Sequence, residues 1–275
     1  MAVPDLGGVR AAVQLSELCR LGGGREAEIF AFGAGRVLRL ARDPQRASAV
    51  EREVTALAAA RRAGAPVPAV YGLLSVEGRP GAVIERLDGE DMLIRLGRRP
   101  WSVWTIGRAL GRAHARLHGV QAPGELPSLV DELRNRLMSE LVPGDVRDSA
   151  LAQLDQLPAG NGLCHCDFHP ANLLPTRDGY AVIDWTGGSR GEPAADVAQT
   201  RLLIALGAVP ADAPRAVRWL QARGRRLLLA AYMAGYRSAR PLNGGEVERW
   251  SFVCAAARLA DDIPAERHSL LAAVR

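Results

Sequence analysis

The chain has 275 residues, of which 48% are apolar and 24% charged, and its formal net charge is +5. This composition is typical of a globular protein and excludes collagen, coiled coil and intrinsic disorder. All 35 lysine-plus-arginine positions are arginine, which excludes Schiff-base chemistry and a Walker A loop, whose last positions are Gly-Lys-Ser/Thr. Because the arginines are scattered, we expect neither a nucleic-acid nor a membrane partner.

The sequence also predicts where the protein is found. Its four cysteines are too few for a disulfide framework. The first twenty residues lack the apolar core of a secretory signal, and the longest apolar stretch, 227–233, is too short to span a bilayer. We therefore expect a cytoplasmic protein with reduced thiols.

The N-terminal third predicts strands and one helix. The glycine runs Gly22-Gly23-Gly24 and Gly33-Ala34-Gly35 interrupt short apolar alternations and indicate turns. A helix is predicted over 46–63, because its apolar residues share one face and Gly64 follows. A strand pair is predicted over 69–76 and 81–87.

Helical patterns dominate after residue 87. A compact β-like island is predicted at 162–185, between helices. The predicted helices cover 101–118, about 127–141, 145–156, 193–206, 212–239 and 244–260. The pattern favours an α+β protein with a small β-rich lobe, residues 1–86, and a larger, mainly helical lobe, residues 87–275.

The β-like island at 162–185 contains the candidate catalytic residues. His165, Asp167 and Asn172 have the His-x-Asp-x-x-x-x-Asn spacing of a kinase catalytic loop, and a later apolar strand ends at Asp184. Phosphoryl transfer needs one carboxylate that accepts or orients the acceptor hydroxyl, and oxygen ligands that hold Mg²⁺ against the triphosphate. We predict the first role for Asp167 and the second for Asn172 and Asp184.

Two segments resemble those of a known family. Residues 163–174, LCHCDFHPANLL, are similar to the His-Gly-Asp-x-His-x-x-Asn loop of the aminoglycoside phosphotransferase family of kinase-like small-molecule phosphotransferases. Residues 182–198 are similar to its Ile-Asp-Trp…Gly-Asp-Pro…Asp-Leu-Ala segment. The resemblance covers nearly the whole chain and implies a bilobal protein-kinase-like fold that uses ATP or GTP with Mg²⁺. It also implies that His165 and Asp196 support the catalytic loop.

The sequence departs from the family pattern at two positions. Cys166 stands where the family usually has glycine, so it could strain the loop or line the pocket. Arg39 stands where the family has the nucleotide-anchoring lysine of the third strand. An arginine keeps the charge, but its fork is larger than an ammonium group. Glu53 fits the family's spacing as the partner of Arg39, and Glu51 is the alternative.

The same resemblance assigns the other nucleotide contacts. Val37 shares a strand face with Arg39 and would cover the adenine. Gly22, Gly23 and Gly24 would let the backbone approach the phosphates. The segment from Glu85 to Leu87 looks like the hinge between the lobes, where backbone groups would read the purine edge.

Three other interpretations of sequence motifs have less support. A zinc site at Cys164, His165, Cys166 and His169 lacks the distant second ligand pair that such sites use. A dinucleotide-binding turn at Gly33 fails because position 38 is leucine. His114 and His118 are four residues apart on a helix and could bind a metal, but the sequence offers no evident third ligand.

The predicted function is transfer of the γ-phosphate to a hydroxyl of a small molecule, such as an antibiotic in resistance or self-protection. The family's acceptors also include choline and homoserine. His169, Asp261 and Asp262 are candidate acceptor contacts, and the two aspartates could equally decorate a helix end. The alternative is a catalytically silent pseudokinase that binds nucleotide, which the departures at Arg39 and Cys166 motivate. The sequence predicts no oligomeric state.

Overall fold

The computed structural model describes residues 13–24, 26–177, 179–206 and 215–274, without the side chains of 215–221. The chain divides into two compact units, Met1–Glu90 with Leu174–Gly188, and Asp91–Leu173 with Ser189–Arg275. The predicted boundary after residue 86 differs from this division chiefly because residues 174–188 group with the first unit. The α+β class is confirmed, since the first unit holds an antiparallel sheet and the second is mainly helical.

The first unit contains a five-stranded antiparallel sheet in the order β1-β2-β3-β5-β4, with one helix. The predicted helix over 46–63 and the predicted strand pair over 69–76 and 81–87 are confirmed, and each end lies within two residues of its predicted position. The elements are β1 (Arg20–Gly23), β2 (Ala27–Ala31), β3 (Arg36–Ala41), α1 (Ala47–Arg62), β4 (Val70–Val76) and β5 (Arg79–Glu85).

Strand β3 separates two apolar layers. Leu38 and Leu40 pack with Phe30 and Val83 on one face of the sheet. Ala41 packs with residues of α1 on the other face. Because side chains alternate along a strand, Arg39 lies on the same side as Ala41. The guanidinium of Arg39 therefore lies on the side of the sheet that faces α1, the helix that contains Glu53.

A second chain segment completes the first unit. It comprises the hairpin of β7 (Leu173–Thr176) and β8 (Gly179–Val182) and continues to Gly188. The Val182 N–H donates to the carbonyl oxygen of Pro66 at 2.8 Å. A Cβ at Gly188 would lie 2.6 Å from the Cβ of Ala56, so glycine permits a close approach to α1. These contacts fix the segment that carries Asp184.

The second unit is mainly helical. The predicted helix 193–206 is confirmed at both ends, and the start of the predicted helix 212–239 lies outside the described residues. The sequence missed α2, α9 and β9. The elements are α2 (Met92–Arg98), α3 (Val103–Leu117), α4 (Leu129–Leu137), α5 (Gly144–Leu154), β6 (Gly162–Cys164), β9 (Ser189–Gly191), α6 (Pro193–Leu206), α7 (Arg215–Ala239), α8 (Gly244–Arg258) and α9 (Pro264–Ala273). Within the described ranges, no helix is long and apolar enough to cross a membrane.

Helices α3 and α7 pack unusually closely through glycines. A Cβ at Gly111 would collide with the carbonyl oxygen of Tyr232, and one at Gly107 would lie 2.6 Å from the Cβ of Ala231. Gly235 on α7 lies in the same way against the backbone of Arg108. The close approach lets side chains of the two helices meet in the interior of the unit.

Candidate active site

The predicted catalytic loop follows β6 in the second unit. The side chain of Asp167 is 39% exposed, and its Oδ2 accepts a hydrogen bond of 3.2 Å from the side-chain amide of Asn172. His169 Nε2 lies 3.5 Å from the same oxygen. Burial raises the pKa of Asp167, but His169, together with His165 and Asn172, outweighs burial and holds the pKa below its usual range. The Asp167 carboxylate is therefore ionised at neutral pH and can accept a hydrogen bond or a proton from a hydroxyl group.

Asn172 is oriented by the same loop. Its Nδ2 also donates to the backbone carbonyl of Asp167 at 2.8 Å. Because the amide nitrogen of Asn172 donates to Asp167, its amide oxygen points away from that residue and remains an acceptor. His169 caps the short turn Pro170–Asn172 by accepting the Ala171 N–H at 3.2 Å. The loop thus holds a carboxylate and an amide oxygen in a fixed relation.

Asp196, at the start of α6, anchors the residues just before Asp167. It is fully buried, and its Oδ2 and Oδ1 accept the backbone N–H groups of His165 and Cys166 at 2.6 and 3.0 Å. The Asp167 N–H in turn donates to His165 Nδ1 at 3.2 Å. Asp196 and His165 therefore lie where the resemblance implied, in contact with the loop backbone.

Cys166 adopts the conformation that explains the family's glycine. Its φ is +64°, in the left-handed region that disfavours residues with a Cβ. Burial raises the pKa of its thiol well above the usual range, so the group is a poor nucleophile. The left-handed conformation agrees with the suggested strain, and Cys166 also lines a small cavity.

That cavity has a volume of about 20 Å³, enough for one water molecule. Gln199 is buried, and its Oε1 has no hydrogen-bond partner among the described residues. Two cysteines and two arginines contribute the remaining polar lining. The lining residues are Leu133, Arg136, Cys166, Gln199, Leu202, Leu203, Cys254 and Arg258.

Arg39 connects two carboxylates in the first unit. Its NH1 lies 2.7 Å from Glu53 Oε2 on α1, and its NH2 lies 2.7 Å from Asp184 Oδ1. The expected pairing with Glu53 is present, and the alternative partner, Glu51, is exposed on the same helix. A guanidinium fork can bind two carboxylates at once, which an ammonium point charge does less readily.

Burial dominates the electrostatics of this group. Glu53 is 1% exposed, and burial raises its pKa to about 7, although Arg39 opposes the rise. Burial also lowers the pKa of Arg39, but Glu53 and Asp184 outweigh it, so the guanidinium stays charged. Asp184 is 38% exposed and has a φ of +61°. Its Oδ1 also accepts the Thr186 hydroxyl at 3.2 Å.

The glycine run forms the end of β1 and the turn into β2. Gly23 has a φ of +155°, and a Cβ there would lie 2.9 Å from the carbonyl oxygen of Ala27. The Gly24 N–H donates to that same oxygen at 2.9 Å. Gly22 has no heavy atom within 4 Å of its Cβ position. Only Gly23 is therefore required by the local geometry of this hairpin.

The remaining nucleotide candidates lie on the same sheet. Val37 is buried on β3 opposite Ile84 of β5. Glu85 ends β5, and its carboxylate accepts the Ala69 N–H at 2.9 Å. The side chain of Glu85 is thus engaged by the residue that precedes β4, and Leu87 is half-buried.

The candidate acceptor contacts Asp261 and Asp262 follow the end of α8. Asp261 is paired with Arg136 at 2.7 Å and with Arg258 at 3.3 Å. Asp262 is more exposed, has a φ of +49° and lies 3.9 Å from Arg267. Two arginines therefore compensate the charge of Asp261, which makes it a weak attractor for a cation.

Sequence reasoning missed a cluster on α3. His114 and His118 each place Nε2 near Asp196 Oδ2, at 3.1 and 3.2 Å. Asp196 is the third group that the sequence did not reveal. In the described ranges these three residues are the only group of three or more with metal-ligand geometry. The cysteines and histidines of 164–169 are not part of such a group in the described ranges.

The comparisons with known proteins agree with this geometry. A model of the phosphotransferase enzyme family matches residues 17–242, most of the chain. The chain belongs to this family. The prediction of the family is confirmed, as is the prediction that the protein is a phosphotransferase. A search of the curated proteins finds no match.

Solved structures share the fold at low sequence identity. An amicoumacin kinase, hAmiN, has a TM-score of 0.64 at 14% identity, covering 90% of this phosphotransferase and 80% of that chain. A thermostable mutant of aminoglycoside phosphotransferase APH(4)-Ia has a TM-score of 0.61 at 16% identity, covering 94% and 92%. Macrolide 2'-phosphotransferase MphH from Brachybacterium faecium has a TM-score of 0.55 at 23% identity, covering 94% and 92%. The predicted kinase-like fold is confirmed.

Proposed function

We propose that this phosphotransferase moves the γ-phosphate of ATP or GTP to a hydroxyl of a small molecule, with Asp167 acting on that hydroxyl. The observation that carries the proposal is the loop geometry. An ionised, partly exposed carboxylate is held by Asn172 and His169, and its backbone is anchored through His165 and Cys166. Phosphoryl transfer depends on positioning more than on covalent chemistry, and this loop supplies positioning.

The residues present fit a divalent cation. Asn172 keeps its amide oxygen as an acceptor, and Asp184 offers a second, partly exposed oxygen donor. Oxygen ligands of this type suit Mg²⁺. We assign the metal to these two residues. A bound cation would neutralise charge on the transferred phosphoryl group, while Asp167 accepts or orients the acceptor proton.

Arg39 would hold the phosphates of the nucleotide. Its guanidinium faces Glu53 and Asp184 and is charged, and the N–H groups that these two carboxylates leave unused would donate to phosphate oxygens. We assign the glycines 22–24 to the phosphates, Val37 to the base, and the backbone from Glu85 to Leu87 to the purine edge.

The acceptor we favour is a hydroxylated antibiotic that is not a polycation. The similar structures include complexes with AMP-PNP, Ca²⁺ and Ami, and with AMP-PNP and hygromycin B. A polycation requires an acidic pocket, but Asp261 is already compensated by Arg136 and Arg258. Macrolides and other antibiotics that are not polycations, with resistance or self-protection as the biological role, therefore come first. His169 and Asp262 remain candidate contacts.

The test is transfer from Mg·ATP and Mg·GTP to a panel of hydroxylated antibiotics and metabolites, with products identified by mass. The matched blank is Asp167→Asn, which preserves shape and removes the charge. A product that is formed by the wild type and absent from the blank supports the proposal. Nucleotide binding without any product across the panel would favour the alternative, a catalytically silent nucleotide-binding protein.

A further inference from the structure

Four side chains of the second unit lie outside the predicted site and form a ladder of hydrogen bonds that ends at Asp196. They are those of His114, His118, Tyr232 and Tyr236. His114 Nδ1 lies 2.8 Å from the Tyr232 hydroxyl, and His118 Nδ1 lies 2.7 Å from the Tyr236 hydroxyl. The other ring nitrogen of each histidine, Nε2, forms a hydrogen bond with Asp196 Oδ2. All five residues are buried. The hydrogen bonds use every ring nitrogen of the two histidines.

The direction of the hydrogen bonds follows from the charges. Burial lowers the pKa of His114 to about 3, so its ring is neutral and carries one proton. Burial would raise the pKa of Asp196, but His114 and His118 hold it well below its usual range, so the carboxylate only accepts. The proton of His114 therefore lies on Nε2 and points at Asp196. Nδ1 must accept, and the Tyr232 hydroxyl donates to it.

The same histidine also contacts Phe168, the residue that follows Asp167. The ring of His114 stacks on Phe168, with ring centres 3.9 Å apart and planes 8° apart. Asp196 fixes the backbone before Asp167, and His114 packs against the residue after it. The catalytic residue is thus held from both neighbours by a network that begins on α7.

We propose that His114, His118, Tyr232 and Tyr236 are positioning residues for Asp167. They touch no reacting atom. They orient Asp196, whose two oxygens accept four N–H groups, two from the histidines and two from the loop backbone. Removing one imidazole donor weakens the hold of a buried carboxylate on the loop, because hydrogen bonds to a buried charged group are stronger than those between neutral groups. The inference rests on the proposed role of Asp167.

His118 allows a matched pair of substitutions, because it does not contribute the Phe168 stack. In His118→Gln the side-chain amide can reach the position of Nε2 and still donate to Asp196. In His118→Asn the shorter amide reaches only the position of Nδ1, so the donor to Asp196 is lost. A role limited to filling space predicts similar losses for both variants.

The activity readout is hydrolysis of Mg·ATP, with water in place of the unidentified acceptor. We expect His118→Gln to retain kcat within about 3-fold and His118→Asn to lose about 30-fold, at unchanged KM for ATP, which corresponds to about 2 kcal/mol. Equal losses in the two variants, or a loss confined to KM, would overturn the proposal.

The second readout needs no activity. Amide hydrogen exchange of His165 and Cys166 should be about tenfold faster in His118→Asn, which loses the donor to Asp196, than in His118→Gln, which keeps it. Tyr236→Phe loses only the hydrogen bond to His118 Nδ1, as His118→Gln does, and its exchange should match that of His118→Gln. Tyr71→Phe, on β4 of the first unit, is the control that should leave exchange unchanged. If the wild type neither hydrolyses ATP nor forms a product with any compound of the panel while exchange behaves as expected, the proposed function fails and the ladder stands. Unchanged exchange in His118→Asn, or one equivalent of zinc in the purified protein, overturns the ladder.

Discussion

Replacing Glu53 by glutamine should remove a specific pH dependence of stability. Glu53 is buried beside Arg39, and burial raises its pKa from an ordinary 4.5 to about 7. The folded protein therefore binds this proton more tightly than the unfolded chain. A raised pKa contributes stability that is fully present below the unfolded value and is lost as pH rises through the folded value. Glutamine keeps the shape of the side chain and cannot titrate.

The magnitude follows from the difference between the two values. Each pKa unit corresponds to about 1.4 kcal/mol. Between about pH 5 and about pH 8, the wild type should lose about 2 to 3 kcal/mol of stability relative to Glu53→Gln. Urea denaturation of both proteins at closely spaced pH values measures this difference directly.

Glu51→Gln provides the matched control. Glu51 is on the same helix, two residues away, and is exposed. Its substitution should leave the pH profile parallel to that of the wild type. A difference between wild type and Glu53→Gln that stays flat from pH 5 to pH 8 would refute the reasoning, because burial would then not control the ionisation of Glu53.

Four further variants test other parts of the molecule. Asp167→Asn should lower turnover by at least about 100-fold in the transfer assay while nucleotide affinity by calorimetry stays within about 2-fold. Arg39→Lys should remain folded by circular dichroism and keep or raise turnover, since an ammonium releases one carboxylate partner, whereas a large loss would mean that the site is adapted to the guanidinium. Cys166→Gly should be about 1 kcal/mol more stable in urea than Cys166→Ala, because the position has a positive φ. Gly111→Ala should cost about 3 kcal/mol by separating α3 from α7, while Gly224→Ala, with open space around it, should be neutral or stabilising.

The successful predictions of helices and strands were based on local patterns of apolar and polar residues. Helix α6 was placed at both ends, and the strand that carries Arg39 was placed with its side-chain alternation. The pairing of Arg39 with Glu53 followed from the resemblance to the family, whose spacing favours Glu53 over Glu51. The helix and the strand depend on neighbours in the sequence, where periodicity is informative.

Long-range features were not accessible in the same way. The ion pair between Arg39 and Asp184 joins residues 145 positions apart. The ladder joins α3 to α7 across 118 positions, and its two members on each helix share an i, i+4 spacing. That repeated spacing, His-x-x-x-His against Tyr-x-x-x-Tyr, is the signal that could have indicated the pairing. Helix α9 and the short strand β9 are held by tertiary contacts rather than by a pattern of their own.

The division of the first unit between two chain segments has a consequence for biosynthesis. Residues 174–188 supply the fully buried Trp185 and the Asp184 partner of Arg39. Before residue 188 leaves the ribosome, the sheet and α1 exist without the segment that covers them, and half of the second unit has already been made. An N-terminal fragment that ends near residue 90 therefore lacks part of its own core. Fragment expression of this unit should include the second segment, joined or supplied in trans.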